Sequence, residues 1–273
     1  GYEPGRGGIR LNANQNVTLT GYKSGYMANE NSHDNTFYGS NSGYNNRSGY
    51  RNTLIGSYAG EKIQDDSYNT CVGYKASYFI KGDYNTTLGS YLDPDFDTGN
   101  PPNSYTGEYN VLLGYNTKTK GGNYNTYVGA ECGENATSNN GVFIGYKSGY
   151  SSTGTGNVSI GSESGHGIIS GEYNVNIGYK SGKYIEGGIQ NICIGPASGP
   201  SDLNKDLNNR IYIDTVGPVG GGDEIGSNSL IYGNQDETQE LSFNADVTIS
   251  NQSINSSGNL TIQGGTITFA AGM

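Results

Sequence analysis

The stretch Asn174-Val-Asn-Ile-Gly-Tyr-Lys-Ser-Gly182 decides the fold. It reads Asn, a β-branched residue, a variable residue, a large apolar residue, Gly, two further residues, a small residue and a closing Gly. Close copies run from Asn52 to Gly60, from Asn157 to Gly165 and from Asn191 to Gly199. With the Gly after the large apolar residue as anchor, the copies fall at Gly21, Gly39, Gly56, Gly73, Gly89, Gly114, Gly129, Gly145, Gly161, Gly178 and Gly195. The intervals are 18, 17, 17, 16, 25, 15, 16, 16, 17 and 17 residues. Such spacing marks a repeat architecture, in which each unit is stable only against its neighbours.

Each repeat position has a physical reading. Ile, Val or Leu stands before most anchors (Ile55, Val72, Leu88, Leu113, Val128, Ile144, Ile160, Ile177, Ile194), and Thr, Val or Ile two residues earlier. β-Branched residues in alternation describe a short strand with one buried face. The residue three after the anchor is small (Ser42, Ala59, Ala76, Cys132, Ser148, Ser164, Ser181), and a Gly follows it in most copies. That Gly fits a corner of positive φ or close backbone approach. The opening Asn can hydrogen-bond the backbone at a bend, or stack with its equivalents as an amide ladder. Gly141 replaces it in one copy. A coil of 16–17 residues is thus expected to hold two short strands and two corners. Coils ~4.8 Å apart would make a rod of about 50 Å.

Composition points the same way. Gly supplies 46 of 273 residues, Trp is absent, and 24 tyrosines make up much of the 32% apolar content. Each coil offers only two or three modest apolar side chains, too few for one chain to enclose a core. Three chains about a common axis would pool them, so the expected partner is the chain itself, as a homotrimer. The formal charge of −10 and the lack of a Lys/Arg cluster argue against a nucleic-acid partner. No apolar run is long enough to insert in a membrane. Cys71, Cys132 and Cys193 are too far apart in the repeat to pair and read as small buried hydrophobes.

Residues 1–15 read as an N-terminal cap or the tail of an upstream segment, 16–199 as the repeat domain, and 200–273 as a β-rich C-terminal segment. The 25-residue interval holds Pro94, Pro101 and Pro102 and reads as a projecting loop. Its Tyr91, Asp93, Asp95, Phe96, Asp97, Asn100 and Tyr105 are the candidates for receptor contact. The aspartates miss a calcium-loop pattern, since Gly99 comes one position late and Ser104 stands where the closing Glu belongs. A second candidate surface is the Tyr-Lys pair that follows four anchors: Tyr22-Lys23, Tyr74-Lys75, Tyr146-Lys147 and Tyr179-Lys180. Tyrosine offers sugars a ring face and a hydroxyl; the alternative is a stacking column, with lysine stems packed over the rings. His33 and His166 lie apart from any metal or triad pattern and read as surface residues. No cofactor site and no paired carboxylates of a glycosidase are apparent, so an enzyme is not expected.

The phrase Asn-Thr/Val-x-Ile-Gly-x-x-Ala/Ser-Gly, across residues 16–199, resembles two related groups: the heads of trimeric autotransporter adhesins and the shafts of bacteriophage tail fibres. The Asn209-Arg-Ile-Tyr-Ile-Asp214 and Leu230-Ile-Tyr-Gly233 phrases look like the segment after such repeats in tail fibres. The resemblance implies an all-β fold: a trimeric, left-handed parallel β-roll or β-solenoid of about eleven coils, followed by a β-rich C-terminal segment. It implies a non-enzymatic fibre segment of a phage or phage-like particle, located in the virion. Its partners would be other fibre or baseplate proteins and a host-surface glycan or protein. The alternative is a bacterial surface adhesin or extracellular filament subunit. An adhesin head would run into a heptad stalk, whereas this chain continues as β structure.

Overall fold

In the computed structural model, the described residues are 16–78, 81–90, 107–117, 119–200, 206–214, 231–234 and 240–243. Each repeat contributes one short strand ending at the residue before its anchor, or just past it. These are β1 (Thr18–Thr20), β2 (Thr36–Tyr38), β3 (Thr53–Ile55), β4 (Thr70–Val72), β5 (Thr86–Ser90), β6 (Val111–Tyr115), β7 (Thr126–Val128), β8 (Val142–Ile144), β9 (Val158–Ile160), β10 (Val175–Ile177) and β11 (Ile192–Ile194). They stack in sequence order as one parallel sheet, each repeat position paired with its equivalent on the next coil, as in Thr53↔Thr70 and Ile55↔Val72. The chain is a parallel β-solenoid. β12 (Arg210–Ile213) continues the stack as its twelfth parallel strand. β13 (Ile231–Asn234) and β14 (Glu240–Phe243) then pair antiparallel beside it.

The long interval leaves the stack undisturbed. β5 and β6 pair over five residues, Thr86↔Val111 through Ser90↔Tyr115, although 91–106 intervenes. The coil opened by Gly141 is equally regular. There the missing side chain makes room for Phe143, whose Cε2 lies 2.3 Å from where a Cβ on Gly141 would stand.

Two expectations need correction. The first concerns the strand faces. The β-branched and large apolar residues flanking each strand centre point out of the chain, and the variable residue between them points in. Phe37, Leu54, Cys71, Thr87, Leu112, Tyr127, Phe143, Ser159, Asn176, Cys193 and Tyr212 are all buried. A single chain therefore encloses its own interior. It does so with small residues and hydrogen bonds: the Ser three after the anchor donates to the strand-centre carbonyl of the next coil, as in Ser42 Oγ to Leu54 O (2.7 Å) and Ser181 Oγ to Cys193 O (2.8 Å). Residues seven after the anchor, among them Ala28, Ile63, Ala136, Ile168 and Ile185, fill the far side.

The second concerns the other half of the coil, which is not a strand. From the anchor onward the backbone enters the left-handed region at the second and fourth residues, as at Lys180 (φ 56°) and Gly182 (φ 61°). Repeated entry into that region curls the chain through tight turns where an extended segment was expected. Backbone bonds still join the coils there, for example Gly165 N to Ser181 O at 2.8 Å. The anchor itself has to be Gly: a Cβ on Gly178 would stand 2.4 Å from the carbonyl oxygen of Gly195, and its φ is 135°.

The opening Asn performs both roles expected of it. Asn52 Nδ2 donates to Asp66 O across its own coil (2.8 Å), while its Oδ1 accepts from the backbone N–H of Asn69 on the next coil (2.9 Å). Equivalent bonds link Asn69 to Asn85, Asn85 to Asn110, and Asn174 to Asn191. Amide-to-amide contacts also occur, as from Asn191 Nδ2 to Asn174 Oδ1 (3.0 Å). These buried amides satisfy backbone groups that would otherwise be costly to bury at a corner.

Candidate functional surface

Because every coil repeats the last, each outward position becomes a column along the rod. The column just before the opening Asn carries left-handed backbone throughout: Asp34, Arg51, Tyr68, Tyr84, Tyr109, Tyr124, Asn140, Gly156, Tyr173, Gln190 and Asn209. Its central tyrosines form a face-to-face stack. Ring centroids are 4.5 Å apart for Tyr68–Tyr84, 4.7 Å for Tyr84–Tyr109 and 4.9 Å for Tyr109–Tyr124, with planes within 10°. The pitch of the sheet imposes this separation, which lies within the range for aromatic pairs. Arg51 caps one end, donating from Nη1 to the Tyr68 hydroxyl (2.6 Å) and pairing with Asp34 (3.6 Å). The sequence places Tyr68, Tyr84, Tyr109, Tyr124 and Tyr173 before the repeat Asn, and of the two readings open for them, sugar surface or stacking column, Tyr68 to Tyr124 form the column.

The Tyr-Lys pairs sit on the two positions after the anchor. Each lysine folds over its own tyrosine, with Nζ 5.3 Å from the ring centroid of Tyr22, 5.4 Å from Tyr74, 5.2 Å from Tyr146 and 4.8 Å from Tyr179. Lys23 also lies over Tyr26 and Tyr44. On later coils the pairs alternate with glutamates, giving Lys147–Glu131 at 3.3 Å and Lys180–Glu163 at 3.8 Å. The neighbouring tyrosine hydroxyl, above all, holds the Lys23, Lys147 and Lys180 ammonium groups above their ordinary pKa. Tyr22, Tyr146 and Tyr179 are well exposed, but Lys75 is buried. Each lysine thus packs over the ring of its own tyrosine, as in the alternative to a sugar surface, while among the described residues no ring stack joins Tyr22, Tyr74, Tyr146 and Tyr179 to one another.

The remaining candidates divide clearly. Tyr91, Asp93, Asp95, Phe96, Asp97, Asn100 and Tyr105 lie outside the described residues. His33 and His166 are half-buried stacking partners, each 4.9 Å from a tyrosine ring, Tyr50 and Tyr150. All three cysteines are free and buried. Burial pushes the Cys132 thiol up to about 12, and moves Cys71 and Cys193 upward as well. Thiols so placed are poor nucleophiles. Asp66 accepts from Gly82 N–H (2.9 Å), and burial raises its carboxyl above the usual range. Among the described residues no three His, Cys, Asp or Glu side chains gather where they could hold a metal ion, and no helix is long and apolar enough to cross a membrane.

The sequence reading missed two outward features. One is the apolar face of the sheet itself, where Leu88, Val111, Leu113, Ile177 and Ile192 are 37–47% exposed. The other is the break in the tyrosine column at Asn140 and Gly156. The interval alignment contains both, since each is a fixed offset from the anchor. Comparison with known proteins finds no matching family model, no matching curated protein and no matching solved structure.

Proposed function

We propose that the chain is a non-enzymatic fibre segment of a phage or phage-like particle, that it assembles as a homotrimer, and that it contributes to attachment at a host surface. The observation that carries this reading is the outward face of the sheet. On coil after coil, a Thr, Val or Ile and an Ile, Val or Leu point away from the interior, in register along the stack. Contiguous exposed apolar surface of this kind is uncommon on a soluble monomer and normally marks an interface.

Copies of the same chain are the fitting occupant, because the face repeats with the pitch of the coil. Only a partner with the same pitch presents matching rows along the full length. Three copies about one axis bring three such faces together and leave the tyrosine and lysine columns to the outside. The interior thus belongs to each chain, and the shared core is an added one. The continuation into β13 and β14 supports a fibre over an adhesin head leading into a helical stalk.

Sedimentation equilibrium on the purified chain tests the assembly. The expected mass is three times 28.8 kDa. Ile144→Lys combined with Ile177→Lys should yield folded monomers with unchanged far-ultraviolet dichroism. A wild-type monomer would overturn the trimer.

A further inference from the structure

The tyrosine column stops for two coils and then restarts. After Tyr124 the next two coils carry Asn140, which is exposed, and Gly156, which has no side chain; then Tyr173 returns. The Tyr173 ring leans back over Gly156. A Cβ built there would lie 2.7 Å from its Cδ1 and 2.9 Å from its Cε1. Tyr124 stacks on Tyr109 through one face, and among the described residues no ring stacks on the other. The two rings bordering the gap are accordingly the more exposed ones, at 59% for Tyr124 and 55% for Tyr173, against 42% for Tyr84 and for Tyr109.

Two coils separate Tyr124 from Gly156, or ~10 Å at the pitch of a parallel sheet. A saturated six-membered ring packed ~3.5–4.0 Å from each of two aromatic faces needs ~7–8 Å. One ring therefore fits with a small rotation of either tyrosine, and two do not. Between the walls stands the exposed side-chain amide of Asn140, which makes no hydrogen bond to another described residue, while its backbone N–H donates to Asn123 O (3.0 Å). It offers two donors and an acceptor, the complement of adjacent hydroxyls on a sugar. Glu108 and Glu172 are the chain neighbours of Tyr109 and Tyr173, and the chain carries a formal charge of −10. Such an electrostatic setting disfavours anionic sugars.

We propose that this gap binds one neutral hexopyranose unit of a glycan, stacked between Tyr124 and Tyr173 and hydrogen-bonded by Asn140. The inference rests on the attachment reading above and gives it a ligand class. It places that ligand on the repeat coils, on residues other than those of the 91–106 insertion.

Ligand-observed saturation-transfer NMR with the full chain tests it, using glucose, galactose and N-acetylglucosamine as probes. Wild-type protein should transfer saturation to at least one of them. Asn140→Tyr continues the stack at a φ of 55°, close to the 60° and 58° that Tyr84 and Tyr109 already adopt, so it keeps the coil and fills the slot. It should weaken binding at least tenfold, as should Tyr173→Ala, while Tyr179→Ala on the neighbouring column should leave binding unchanged. Failure of wild type to bind any of the three sugars, or equal binding by Asn140→Tyr, overturns the slot. Because no cells are involved, sugar binding without cell attachment would keep the slot and remove the attachment role.

Discussion

Leu54 and Asn176 hold the same place in their coils and meet opposite surroundings. Leu54 packs in an apolar group with Phe37, Cys71, Ala59, Ile63 and Ala76. Asn176 lies beside Ser159, reaching its hydroxyl at 3.4 Å, and its Oδ1 is buried without a partner. Despite this contrast the coils are alike: β3 and β10 are equally long, equally in register, and followed by the same left-handed turns. The pitch is therefore set by groups that both coils share and that meet the backbone of the next coil, namely the anchor Gly and the opening Asn; the residue three after the anchor is Ala59 in one and Ser181 in the other. The strand-centre side chain contributes stability without choosing the geometry.

The largest effect should come from breaking what the two coils share. Gly178→Val puts a β-branched residue at a φ of 135° and drives its Cβ into the carbonyl of Gly195. A loss of more than about 4 kcal/mol is expected, read as failure to reach a folded baseline in urea. The next test separates the two coils. Leu54→Ala should cost about 2–5 kcal/mol through the cavity it leaves. Asn176→Leu should be neutral or stabilising by about 1 kcal/mol, because it removes an unsatisfied buried oxygen. The urea midpoint of Leu54→Ala therefore falls, while that of Asn176→Leu holds or rises.

The smallest effect is electrostatic. Burial raises the Asp66 carboxyl pKa in the folded state, so the folded chain holds its proton where the unfolded chain has released it. The stability tied to that proton is present below the ordinary carboxylate pKa and is lost as pH climbs through the raised one. Asp66→Asn keeps an acceptor for Gly82 N–H and avoids the charge. Its thermal midpoint should exceed wild type slightly at pH 7, and the difference should vanish in acid.

How much of this could be read beforehand follows from where the information lies. The anchor interval located β1 to β11 and their parallel order, since Gly, Asn and β-branched residues at fixed offsets each have a backbone reason to be there. The inward face was misassigned because alternation shows that a strand has two unlike faces, not which one its own chain covers. Ile55 and Ile177 look like core residues by type, yet they are 37% and 38% exposed, while Ser159 and Asn176 are wholly buried. The interior of so narrow a coil is bridged largely by hydrogen bonds, which hydropathy does not weigh. The expected second strand failed for a local reason: left-handed residues such as Lys147 (φ 52°) and Glu163 (φ 55°) show no sequence preference for that conformation. The tyrosine stack was legible in the sequence as one of two readings, and its gap at Asn140 and Gly156 only once the column was assembled.

The in-register pairing of β5 with β6 across 91–106 has an evolutionary consequence. Both strands find their partners through residues outside the inserted segment, so what is inserted can change in length or chemistry without disturbing the pitch. The rod works as a chassis indifferent to what joins these two strands: recombination can exchange the segment between Ser90 and Gly107 while the coils on either side keep their register.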